Sequence, residues 1–187
     1  MKYAFSNICL FVFLLTAVSC STDVQQETSD TEIPQDVDSL GLQLTNYDKN
    51  IQSLIQDPNG LIRGFSLGMD SELIKSKNSS LQKVDSTTTS YTYSSQLDAV
   101  EAADFTYQFA NKKVNRIEVV VYPENEYRQG VYYRELKNYF SSKFKTKAME
   151  EGNSLSWTVP TQDLTIRLTK TGSKKFHDLQ LVFEKLK

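Results

Sequence analysis

Two periods organise the apolar residues of this chain, and the switches between them predict its elements. Leu44, Tyr47, Ile51, Leu54 and Ile55 recur at helical spacing, and Pro58-Asn59-Gly60 stops the run. A short second helix is expected from Asp70 or Ser71 as N-cap, through Leu73 and Ile74, to about Asn78. The period then falls to two. Tyr91, Tyr93 and Leu97 alternate with Ser and Thr, and Phe105, Tyr107 and Phe109 alternate with Thr106 and Gln108. Asn111-Lys112-Lys113 turns the chain into 114–122, where Ile117, Val119 and Val121 share a face.

The order then repeats. Tyr133, Leu136, Phe140 and Phe144 form one helical stripe, with Lys143, Lys145 and Lys147 where the helix dipole favours cations and Gly152-Asn153 as the stop. Leu155/Trp157/Val159, Leu164/Ile166/Leu168 and Leu179/Leu181/Phe183 predict three more strands, connected by 160–163 and 171–175. The reading is α+β: an antiparallel sheet of about six strands with helices packed on one face, two helix-then-three-strand units in tandem. Strict alternation matters more than the count. A sheet covered on both sides would show continuous apolar runs, so one broad face is expected to meet water.

That face defines the candidate site. By alternation it carries Arg116, Glu118, Val120, Tyr122, Arg167 and Val182 among Thr and Gln. Val120, Tyr122 and Val182 place apolar groups toward solvent, and Tyr and Arg are enriched where proteins dock. The plainer reading is a solvated polar sheet.

Charge and composition divide the chain. Residues 21–40 contain six acids, no Lys or Arg, and almost nothing to bury, which predicts a disordered, self-repelling tether. Twenty such residues would hold a domain roughly 25 Å from their anchor. Removing Lys2 and those six acids from the totals of 21 and 23 leaves 20 Lys/Arg against 17 Asp/Glu, a net +3 over 41–187. That excess is too mild for nucleic-acid binding, and no basic-aromatic run supports one. About 147 residues suffice for one core.

No catalytic constellation stands out. His177, the single histidine, sits among Lys174, Lys175 and Asp178 and reads as a surface residue of a hairpin. The acid pairs Glu124/Glu126 and Glu150/Glu151 fall in predicted loops, where paired charges are usually solvated. Gly64-x-x-x-Gly68 lacks the Lys of a phosphate loop. No cofactor or metal is expected. A hydrolase using acids such as Glu118 or Glu124 is the remotest alternative.

The first nineteen residues have the parts of a secretory signal: Lys2, the apolar run 8–15, and the small residues 16–19. The run is short for a bilayer span of about 20 residues. Ala17-Val18-Ser19-Cys20 resembles the lipobox of bacterial lipoproteins, in the looser form found in Bacteroidota. The resemblance implies cleavage of a signal peptide at 1–19 and acylation (palmitate or a similar chain) of Cys20; with the composition and periodicity above, the expected division is a tether at 20–40 and one α+β domain at 41–187. Cys9 would leave with the signal, so the mature domain would hold no disulfide, thiolate site or Cys nucleophile. Ser21, rather than Asp, favours the outer membrane, with its periplasmic or surface-exposed side open. Asp38-Ser39-Leu40 and Asp85-Ser86-Thr87 resemble the bacterial O-glycosylation signal, which makes Ser39 and Ser86 candidate acceptors.

The segment Gly68-Met69-Asp70-Ser71-Glu72-Leu73-Ile74, followed by Tyr-rich strands, resembles the start of the small outer-membrane lipoprotein A family, which includes BamE-like proteins. Two units in tandem resemble the β-lactamase-inhibitor-protein architecture. The family's Gly-x-Pro is absent, and the second half lacks the Gly-Met opening. The resemblance implies a lipid-anchored, non-enzymatic envelope protein that binds other proteins as an accessory subunit of an outer-membrane complex. The alternative is a small-molecule or glycan-binding lipoprotein with a pocket between helices and sheet, lined by Tyr91, Tyr93 and Tyr107.

Overall fold

The computed structural model describes residues 43–173 and 175–186. Cys20 and Ser39 lie outside them, as do the signal and the whole of the tether. A 3-10 turn at Leu44–Asn46 leads into helix α1, Lys49–Ile55. The expected single helix is broken at Tyr47, which is extended, because the Asp48 carboxylate accepts the Asn50 N–H at 2.9 Å and starts α1 afresh. Helix α2, Ser71–Lys77, follows a loop. Asp70 stands at its N-cap position without capping it; its carboxylate pairs with Lys113 at 2.9 Å instead.

Strands β1 Gln82–Ser86, β2 Ser90–Gln96, β3 Ala102–Ala110 and β4 Lys113–Tyr122 come next, then helix α3, Glu126–Phe144. Strands β5 Met149–Glu151, β6 Ser154–Val159, β7 Leu164–Lys170 and β8 Leu179–Lys185 complete the order. All eight form one open sheet in the order β1-β2-β3-β4-β8-β7-β6-β5, and every pair is antiparallel.

The expected count of about six strands is therefore corrected to eight. The two additions, β1 and β5, are the sheet's edges, and every residue in them is exposed. With no buried side they have no apolar alternation to read. Their charges, Lys83, Asp85, Glu150 and Glu151, suit edges that must not pair with another chain. Gly152, expected to stop the helix, instead makes the β5–β6 turn at φ +56°. Helix α3 ends at Lys145, which is left-handed at φ +50°. Of the three expected dipole lysines only Lys143 lies within the helix, and its ammonium meets the carbonyls of Pro58 and Gly60.

The core lies between the helices and one face of the sheet. Register places Phe105, Val119, Leu181, Leu168 and Leu155 in one row across five strands, and Tyr107, Ile117, Phe183, Ile166 and Trp157 in the next. All ten are buried. Full burial of each aliphatic or Phe side chain is worth about 1.5–3 kcal/mol. Helix α3 closes one half with Tyr132, Leu136, Tyr139 and Phe140, a stripe turned slightly from the expected one, in which Tyr133 and Phe144 are only partly buried. Phe140 meets Trp157 and Phe183 edge-on at 5.7 and 5.6 Å, and the Trp157 indole donates to Ser141 at 3.1 Å. The loop before α2 closes the other half: Phe65 packs edge-on against Tyr107 at 5.3 Å, the Gly68 N–H donates to the Val114 carbonyl at 2.7 Å, and the Val114 N–H donates to that of Met69 at 2.8 Å.

Candidate functional site: the open sheet face

The other face of the sheet consists of the residues between those core positions. Register aligns Thr92, Thr106, Glu118, Val182, Arg167 and Ser156 in one row, and Gln108, Arg116, Glu184, Thr165 and Thr158 in the next. Arg116 on β4 and Arg167 on β7 thus flank β8. With Thr165, Gln180, Val182 and Glu184 they line a shallow depression of about 80 Å³. Glu118 borders it, and Val120 lies one row away, opposite Gln180. Tyr122 stands apart at the end of β4.

Most polar groups here satisfy one another. Arg116 donates to Glu184 at 2.7 Å and to Glu118 at 3.3 Å, and Gln180 donates to Glu118 at 2.6 Å. The hydroxyls of Thr92 and Thr106 bond at 3.0 Å, and those of Ser154 and Thr169 at 2.9 Å. Tyr122 donates to Asp104 at 2.9 Å; partial burial, then that carboxylate, push its phenol up to about 12. Pairs this exposed contribute little stability, about 0–1 kcal/mol each. Arg167 differs: its side chain is exposed and makes no hydrogen bond or ion pair among the described residues. Val182, expected to face water, does not. It lies on this face yet is only 7% exposed, because its cross-strand neighbours Glu118 and Arg167 and the residues beside them cover it.

The remaining candidates are scattered. His177 is half-buried in the loop between β7 and β8, Glu124 and Glu126 flank the start of α3, and Glu150 pairs with Lys137 at 2.5 Å from edge strand β5. Ser86 is exposed at the end of β1, its N–H bonded to Asp85 at 2.7 Å. Tyr91, Tyr93 and Tyr107 pack into an aromatic cluster with Phe65 and Phe109. Among the described residues no three His, Cys, Asp or Glu gather as metal ligands, and no helix is long and apolar enough to cross a membrane.

One cluster escaped the sequence reading. Glu101, 1% exposed, accepts from Arg128 Nε at 2.9 Å and Nη2 at 2.9 Å, Tyr132 at 2.8 Å, Asn50 at 2.8 Å and the Glu124 N–H at 3.2 Å. Arg128 also holds Asp48 through both Nη atoms at 3.0 and 3.2 Å. Burial pushes the Glu101 pKa up, but its donors, Arg128 first, outweigh burial and hold the carboxyl below its ordinary value. The Arg128 hydrogen bond lowers Asp48 as well. Every oxygen of Glu101 is engaged, so the cluster is a clasp joining α1, the β2–β3 loop and α3, with no group left over for chemistry. Parity could have found it: counting back from Phe105 and Ala103, Glu101 takes a core-facing position.

Comparison with protein-family models, curated proteins and solved structures gave no match.

Proposed function

We propose that this chain is a lipid-anchored, non-enzymatic envelope protein, held at the outer membrane through Cys20, that docks a folded protein partner on the open face of its sheet. The observation carrying the reading is Arg167, a guanidinium unpaired among the described residues, on a broad face whose other charges largely satisfy one another. Charge complementarity sets the partner's chemistry: a protein surface presenting a carboxylate to Arg167, flat enough to meet the rows of Thr, Ser and Gln around it. Lipidation is supported by the residues around Cys20, and an accessory role in an outer-membrane complex by the likeness of Gly68–Ile74 to small outer-membrane lipoproteins. The two helix-led halves, each ending in a four-strand meander, fit the tandem arrangement that this likeness implies.

A photo-crosslinking residue at Thr158, exposed on this face, is compared with one at Asn138, exposed on α3. In cells, Thr158 is expected to capture one protein that Asn138 does not, and Arg167→Glu to reduce that capture roughly tenfold or more, since opposed like charges cost several kcal/mol. Equal capture from Asn138, or capture surviving Arg167→Glu, would sink the reading.

A further inference from the structure

The turn between α1 and α2, on the helix side of the sheet, is built at a conformational cost. Phe65 N–H bonds to the Ile62 carbonyl at 2.8 Å, and both central residues have positive φ, Arg63 at +51° and Gly64 at +73°. Such a turn favours Asn-Gly, because an L side chain in the left-handed region is strained. A long cation here invites a functional explanation. Arg63 lies over the Phe105 ring at 5.1 Å, half-buried, and forms no ion pair among the described residues. Lys77, at the end of α2, stands 6.0 Å from the Phe65 ring centre.

Both cations line a cavity of about 280 Å³ with Gln56, Asp57, Gly64 and Phe65. Asp57 Oδ1 accepts the Asn59 N–H at 2.9 Å, and a Cβ on Gly64 would stand 3.4 Å from Asp57 Oδ2. Two cations against one acid leave a single positive charge. The Asn78 side chain lies within hydrogen-bond reach of the Tyr107 hydroxyl, and the Tyr107 ring lies 5.3 Å from Phe65 and 6.3 Å from Tyr93. Arg63 Nε and, deeper, the Tyr93 hydroxyl are buried without a hydrogen-bond partner among the described residues. Native interiors hold few such groups, and each asks for an explanation. Of these, Arg63 Nε belongs to a residue that lines the cavity, which marks a place where a polar contact remains to be made.

We propose that this turn and the end of α2 form a binding site for a small organic carboxylate, its oxyanion held between Arg63 and Lys77. The net charge fits a singly charged group. The volume lies just under the roughly 300–1,000 Å³ of typical ligand sites, which keeps the ligand small. The site is independent of the open sheet face.

The test follows the Gly64 amide by NMR in the isotope-labelled full chain, titrated with sodium acetate or succinate, then with phosphate and chloride at matched ionic strength. Acetate or succinate is expected to give a saturable shift. Arg63→Asn, which suits the turn, should weaken binding roughly 10- to 100-fold, as loss of a charged hydrogen bond implies. Lys77→Gln, on the helix surface, should weaken it roughly threefold. Shifts no different from chloride, tighter binding of phosphate than of carboxylates, or saturation undiminished by Arg63→Asn overturns the proposal. Should Arg63→Asn fail to fold, undiminished saturation in Lys77→Gln does so instead.

Discussion

Arg128 grips two carboxylates at once, Glu101 with Nε and Nη2 and Asp48 with both Nη atoms, while its own carbon skeleton belongs to the first turn of α3. Replacing it by Met would leave Glu101 charged and buried with only neutral donors. The expected loss of unfolding free energy is about 3 kcal/mol, the low end for breaking a buried pair, because Tyr132 and Asn50 still donate. Its pH dependence has a definite sign. Glu101 and Asp48 both have folded pKa values below their unfolded ones, so their contribution is complete above about pH 4.5 and is lost as pH falls through the lowered values. Urea unfolding of wild type and Arg128→Met should differ most at neutral pH and converge in acid. A difference that stays constant to pH 3 would assign the effect to packing of the arginine stem. This cluster was only half legible in the sequence. Strand parity places Glu101 inward, but its partners lie 51 positions upstream and 27 downstream, and no local spacing announces such a meeting.

Among the elements, the central strands followed directly from their alternation, because each has one wet and one dry side. Edge strands β1 and β5 have no dry side, and the periodicity argument has nothing to grip there. The β3–β4 connection was placed correctly as a turn, and its conformation can now be stated: Asn111 and Lys112 both have positive φ, at +52° and +62°. Asn tolerates that region, whereas Lys does not favour it. Lys112→Gly is therefore expected to raise stability by about 0.5–1 kcal/mol, strain relief exceeding the added chain entropy. A denaturant midpoint that falls instead would show the lysine side chain to be stabilising. The surface candidates were legible as a face but not as an arrangement. Sequence placed Arg116 and Arg167 on one face, yet only the structure reveals that Arg116 is committed to Glu184 and Glu118 while Arg167 is not.

At the scale of the whole molecule, an open sheet eight strands wide has two free edges, and the chain guards both with charge. Replacing Lys83 and Asp85 by Val would join exposed Val84 in an apolar, uncharged edge. Dimers or larger species should then appear in size-exclusion chromatography with light scattering, where the parent chain runs as a smaller species. An unchanged elution would mean that the bulge between Lys83 and Asp85 already protects this edge. The centre of the sheet has a different consequence. Strand β8, the last of the second meander, pairs with β7 on one side and, on the other, with β4, the one pairing between the two meanders among the described residues. Partners such as Glu118 and Val182 are 64 positions apart, so closure carries a large loop-entropy cost and is slow. The nascent polypeptide must therefore wait with two half-sheets whose inner margins are bare. A chaperone that shields the margin of β4 until residues 179–185 emerge would be protecting the one seam on which the whole assembly closes.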